Sequence, residues 1–136
     1  PRTSYKKPSR INPVSISVLL LLALCGYVAV HLWPVFAIRT KVKDELMSVL
    51  PDMYRVNLRG DAIARPEMAR IKKELTERVK KAGVTDKKLE VILTRDKKLV
   101  AAQALFDVAV TFPYPKKSFV IRCSPRAETD SARVDW

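Results

Sequence analysis

The run from Val14 to Ile38, VSISVLLLLALCGYVAVHLWPVFAI, contains no Asp, Glu, Lys or Arg. As a helix rising about 1.5 Å per residue it reaches roughly 37 Å, more than the roughly 30 Å of hydrocarbon in a bilayer. Arg10 precedes it and Arg39 follows it. The run therefore predicts a transmembrane helix, and everything else in the chain is placed relative to it.

Two other readings compete. A cleaved secretory signal has an apolar region of about 7–15 residues ending at a small-residue cleavage site. This run is longer and ends in Leu32-Trp33-Pro34-Val35-Phe36, so Pro1 is expected to stay on the mature chain. A buried core helix needs more surrounding protein than 136 residues provide. Trp33 suits the lipid–water interface, and Pro34 is expected to bend the helix into a hinge there. Arg10, Trp33, Pro34 and Arg39 are the expected membrane-interface residues. His31 is expected at the interface or against a partner helix rather than as a cofactor ligand. Ser15, Ala23, Gly26 and Ala29 are small residues through which a second helix can approach.

Charge orients the span. Arg2, Lys6, Lys7 and Arg10, with no acid, supply +4 of the net +12. Residues 1–13 are expected to be a disordered basic tail in the cytoplasm, with the C-terminal domain in the periplasm of a bacterial inner membrane. Lys and Arg bias this only weakly, because Arg39, Lys41 and Lys43 follow the span. A basic chain of this kind suggests nucleic acid or anionic lipid as partner. With no nucleic-acid motif present, lipid is the expected one.

Val35, Ile38, Val42, Leu46, Val49 and Met53 recur at helical spacing. The span thus continues as an amphipathic stalk over 39–52, ending near Pro51. Val42, Leu46 and Val49 must cover either the chain's own sheet, the favoured reading, or a neighbouring subunit. Residues 53–64 are expected to be a connector able to hold a short strand. A second helix is expected over 65–82, with Pro66 in its first turn and Gly83 at its stop. Met68, Ile71, Leu75 and Val79 form its apolar stripe, and Lys72, Lys73, Lys80 and Lys81 its basic outer surface.

Alternation predicts strands over 88–94, 99–112 and 118–124. The central one is the clearest. Val100, Ala102, Ala104, Phe106, Val108, Val110 and Phe112 share one face without a polar residue. Short turns between sequential strands imply an antiparallel meander. The expected fold is α+β: a transmembrane helix extending into a stalk, then a domain over 53–124 with one helix on three to four antiparallel strands. Residues 125–136 are expected to be a loose polar tail.

No catalytic or metal motif stands out. The one His lies in the apolar run, and there is no C-x-x-C, H-E-x-x-H or Gly-rich phosphate loop. Cys25 and Cys123 are expected to be unpaired apolar fillers. No cofactor and no small-molecule substrate are expected.

An apolar N-terminal helix feeding a small sheet domain resembles the pilin and pseudopilin plan, although the prepilin cleavage pattern is absent at Arg10-Ile11-Asn12-Pro13-Val14. Leu32-Trp33-Pro34-Val35-Phe36, Leu89-Glu90-Val91-Ile92-Leu93-Thr94-Arg95-Asp96, Phe106-Asp107-Val108-Ala109-Val110 and Thr111-Phe112-Pro113 resemble an uncharacterised family of bacterial single-pass inner-membrane proteins. The resemblance implies placement and fold, not a mechanism. The expectation is a non-catalytic structural or accessory subunit of a membrane assembly, in contact with lipid and with other membrane subunits or copies of itself. The alternatives are a pilin-like subunit polymerising through its apolar helix, and a tethered binder of anionic lipid or nucleic acid.

Overall fold

A computed structural model describes residues 12–97 and 99–130. The expected basic tail and Arg10 lie mostly or wholly outside them. Helix α1 runs from Pro13 to Leu58 and α2 from Asp61 to Lys81. Four strands follow: β1 (Glu90–Arg95), β2 (Leu99–Phe112), β3 (Lys117–Cys123) and β4 (Arg126–Asp130). The fold is α+β, with two helices on one face of an antiparallel sheet.

Local chemistry sets where α1 begins. The Asn12 side chain accepts a hydrogen bond from the Val14 N–H at 3.1 Å. Pro13 occupies the first helical position, where its missing N–H has no intrahelical partner to lose. The helix then continues unbroken for 46 residues, about 69 Å. The helix continues through Pro34, as the stripe implies, and also runs past Pro51, which corrects the expectation that the stalk ends there. Both prolines are exposed, as are Val30 and Met47, whose carbonyls they leave without a helical donor. Residues 53–58, expected as a connector, form the last turns of α1. There Met53 and Val56 are buried.

The chain reverses at Arg59 and Gly60. Gly60 has φ +91° and ψ 162°, a region essentially confined to glycine. Gly60→Ala, although nothing crowds the new methyl group, is expected to destabilise the fold by about 1–3 kcal/mol through backbone strain alone. Thermal unfolding of the full chain in mild detergent measures this. Helix α2 starts four residues before the expected position, so Pro66 sits inside it rather than in its first turn. Ala64 extends the stripe of Ile71, Leu75 and Val79 into the core. Glu74 pairs with Arg78 one turn on, and Glu77 meets Lys80 at 3.7 Å. Gly83, at φ +117°, ends the helix against Ile38 of α1.

Strand β2 is the axis of the sheet. On one edge its first half pairs with β1, Arg95 opposite Val100 and Glu90 opposite Leu105. On the other edge β3 pairs with its second half and β4 with its first half. The two registers form one continuous ladder, interrupted only at Ser124-Pro125, where the Ala104 N–H still donates to the Pro125 carbonyl at 3.1 Å. Residues 126–130, expected as part of a loose tail, are therefore the continuation of β3; residues 131–136 lie outside the described ones. Because β1 stops short, β2 and β3 project beyond it as a two-stranded hairpin.

The core lies between the inner sheet face and the helices. Val42, Leu46, Met53, Leu75, Val79, Val100 and Phe106 are its largest fully buried side chains. Each is worth about 1.5–3 kcal/mol of burial. The stalk stripe thus covers its own domain, as the favoured reading has it. This leaves Val42, Leu46 and Val49 unavailable to a partner helix, a correction to their place among candidate partner contacts.

Candidate membrane interface

The two halves of α1 differ in what surrounds them. From Val35 onward the stripe is buried under the sheet. Toward the N-terminus lies an apolar window long enough to cross a membrane, none of it buried inside the fold. Val14, Val18, Leu19, Leu20, Leu21, Leu22 and Leu24 are all exposed. A core helix of a water-soluble protein buries such a surface; this one leaves it open.

The expected interface residues occupy the junction. Trp33 is 72 % exposed and points away from the fold. Pro34 and Arg39 are also exposed. Ser15, Ala23, Gly26 and Ala29 are exposed too, and nothing lies within 4 Å of where a Gly26 Cβ would sit. At about 100° per residue these four group on one side of α1. The domain takes the opposite side, through Tyr27, His31 and Val35. Lys72, Lys73, Lys80 and Lys81 are exposed on α2. The ion pair of Lys80 with Glu77 contributes little in solvent.

What the sequence does not reveal is how far the hairpin climbs along α1. The ring of Phe112, at the end of β2, lies 5.4 Å from the His31 ring and 6.0 Å from that of Tyr27. Phe119 of β3 meets Phe112 edge-on, with centroids 5.8 Å apart. The Tyr27 hydroxyl donates to the Tyr114 carbonyl at 2.8 Å and accepts from the Tyr114 N–H at 3.2 Å. His31 Nδ1–H donates to the Tyr27 carbonyl at 2.9 Å, and the two rings lie tilted by 42° with centroids 4.4 Å apart. This engages His31 in packing beneath the hairpin. The only advance signal is the helical spacing that puts Tyr27 and His31 on one face. An apolar groove lined by Leu24, Tyr27, Val28, Phe112, Tyr114 and Pro115 runs between helix and hairpin.

At the base of the hairpin, Asp86 stands in for a missing strand residue. Its carboxylate accepts from the Asp107 N–H at 2.8 Å, on the β2 edge that β1 does not reach, and from the Lys88 N–H at 2.9 Å. The Lys88 bond first, and the Asp107 bond second, hold its pKa below the usual carboxylate range. A depressed folded-state value means the contribution is present above the unfolded pKa of about 3.9 and is lost as pH falls through the folded one. Asp86→Asn is expected to lower the unfolding midpoint at neutral pH, and the difference from the parent chain is expected to shrink below about pH 4. Thermal scans of both proteins across pH test this.

Among the described residues no group of three His, Cys, Asp or Glu side chains is arranged to hold a metal ion. No polar or charged residue there is fully buried. Both cysteines are free. Cys25 is exposed and Cys123 lies in the core, where burial raises its thiol pKa. No protein-family model matches the chain, and no curated protein or solved structure gives a match.

Proposed function

We propose that this chain is a non-catalytic, single-pass membrane protein acting as a structural or accessory subunit of a larger membrane assembly. In this reading the N-terminus lies in the cytoplasm and the sheet domain in the periplasm of a bacterial inner membrane. The observation that carries it is the contrast within one helix: an apolar half that the fold leaves uncovered, continuous with a half that is the domain's own core. Two partners are invoked. Lipid covers the apolar half, and a second helix packs on the open face of Ser15, Ala23, Gly26 and Ala29, where small side chains allow close backbone approach.

The exposed apolar segment also supports the pilin-like alternative, in which copies of α1 bundle into a fibre. Disulfide trapping separates the two. Cys25 already lies on the exposed helix. Under mild oxidation in native membranes, a subunit of a defined assembly is expected to give one cross-linked species through Ala29→Cys with Cys25 retained, two exposed thiols per chain being the fewest from which a longer series can grow. A ladder of higher oligomers favours the fibre, and a purely monomeric product counts against both. Orientation has its own test. A reporter active only outside the cytoplasm, fused after Trp136, is expected to be active; activity confined to a cytoplasmic reporter reverses the assignment.

A further inference from the structure

We infer that the tip of the β2–β3 hairpin, residues 112–120, is a second membrane-inserting element, seated in lipid beside α1 in the leaflet nearer the domain. This deepens the single-pass reading and rests on it.

The first support is a length. From Pro13 to Tyr27 the helix rises about 21 Å, short of a hydrocarbon core of about 30 Å. A core that begins at Pro13 extends about to Trp33, and tilting the helix moves more residues into it. The hairpin tip is fastened at the level of Tyr27, about 9 Å below Trp33. Wherever α1 spans, its tip is carried beneath the surface with it.

The second support is composition. Beyond Ile63, every large hydrophobic side chain that is exposed among the described residues belongs to this tip: Tyr114, Phe119 and Val120. Tyr114 is 85 % exposed. Beside them Lys116 and Lys117 have stems long enough to keep their ammonium groups among lipid phosphates while their methylenes stay in the apolar layer.

The third support is hydrogen-bond accounting. Lipid offers no partner to a backbone N–H, so a turn that enters it gains from leaving few of them open. In Pro113-Tyr114-Pro115 two of the three residues have no N–H to satisfy. The third N–H, that of Tyr114, is bonded to the Tyr27 hydroxyl, which also satisfies the Tyr114 carbonyl. The neighbouring hydroxyls of Thr111 and Ser118 lie 3.4 Å apart and face each other across the strands. A turn exposed to water has no need of this arrangement. The groove between Tyr27, Val28, Phe112 and Tyr114 is accordingly a seat for a phospholipid acyl chain.

Tryptophan quenching tests the inference in the full chain. Tyr114 makes its hydrogen bonds through the backbone, so Tyr114→Trp keeps the fastening. It is placed in a background of Trp33→Phe and Trp136→Phe and reconstituted into phosphatidylcholine–phosphatidylglycerol vesicles brominated on the acyl chains. A companion protein keeps Trp33 as its single tryptophan. We expect brominated chains to quench both tryptophans at least twofold, and acrylamide in the water phase to quench neither appreciably. If Trp33 is quenched by lipid while the indole introduced at the hairpin tip responds only to acrylamide, the inference fails and the single span stands. A tip indole shielded from both quenchers means that protein covers the tip, and that also overturns it. If neither tryptophan senses the brominated chains, the span and the inference fall together.

Discussion

The double substitution Leu19→Arg with Leu22→Arg is expected to abolish stable membrane association of the full chain. Each arginine near the centre of a transmembrane helix costs about 2.5–3.5 kcal/mol on insertion scales, so the pair removes roughly 5–7 kcal/mol. Both leucines are exposed and touch no part of the sheet domain. The loss therefore acts on placement and spares the fold. Carbonate extraction of membranes reads the outcome: the parent chain stays in the pellet, and the variant appears in the supernatant or as aggregate. A parallel variant with Lys72→Glu and Lys73→Glu, on the outer face of α2, is expected to remain membrane-bound.

Phe106→Ala is expected to have the opposite profile. Phe106 is fully buried, among the largest side chains of the core, and central on β2 between the ladder to β1 and the ladder to β3. Truncating a buried Phe costs about 3–5 kcal/mol in lost burial and cavity formation. A small domain has a margin of only about 5–15 kcal/mol. The domain should therefore melt at much lower temperature while the chain remains in the membrane fraction. Circular dichroism in detergent, together with the same extraction assay, distinguishes this variant from the arginine pair. If both substitutions remove both properties, span and domain are not separable as argued.

The contrast between those variants follows from features visible in the sequence. Seven apolar residues at alternate positions make β2 legible from Leu99 to Phe112, and both ends are where the pattern places them. The helical stripe from Val35 to Met53 is equally plain, and the fold buries it as its spacing implies. The misreadings have specific causes. Pro51 and Pro66 read as a stop and a start, but each sits on an exposed face where one missing hydrogen bond is tolerated. Strand β4, Arg-Ala-Glu-Thr-Asp, has a single buried apolar residue, Ala127. Its pairing is decided by the free edge of β2, which no local pattern encodes.

The candidate interface is legible only in its helical half. Trp33, Arg39 and the small residues from Ser15 to Ala29 are read from one dimension. The hydroxyl of Tyr27 and the backbone of Tyr114 meet across 87 positions, a distance at which periodicity says nothing. Asp86 is similarly hidden. Its role depends on β1 being too short to cover Asp107, a fact of register rather than composition.

Helix α1 is one uninterrupted element from its open half to the half beneath the sheet. Gly26 is flanked by helix on both sides, and Pro34 does not divide the element. Torque applied to one end of such a shaft is delivered to the other. If a neighbour rolls the exposed half, the tie between Tyr27 and Tyr114 draws the hairpin, and with it the sheet, in the same sense.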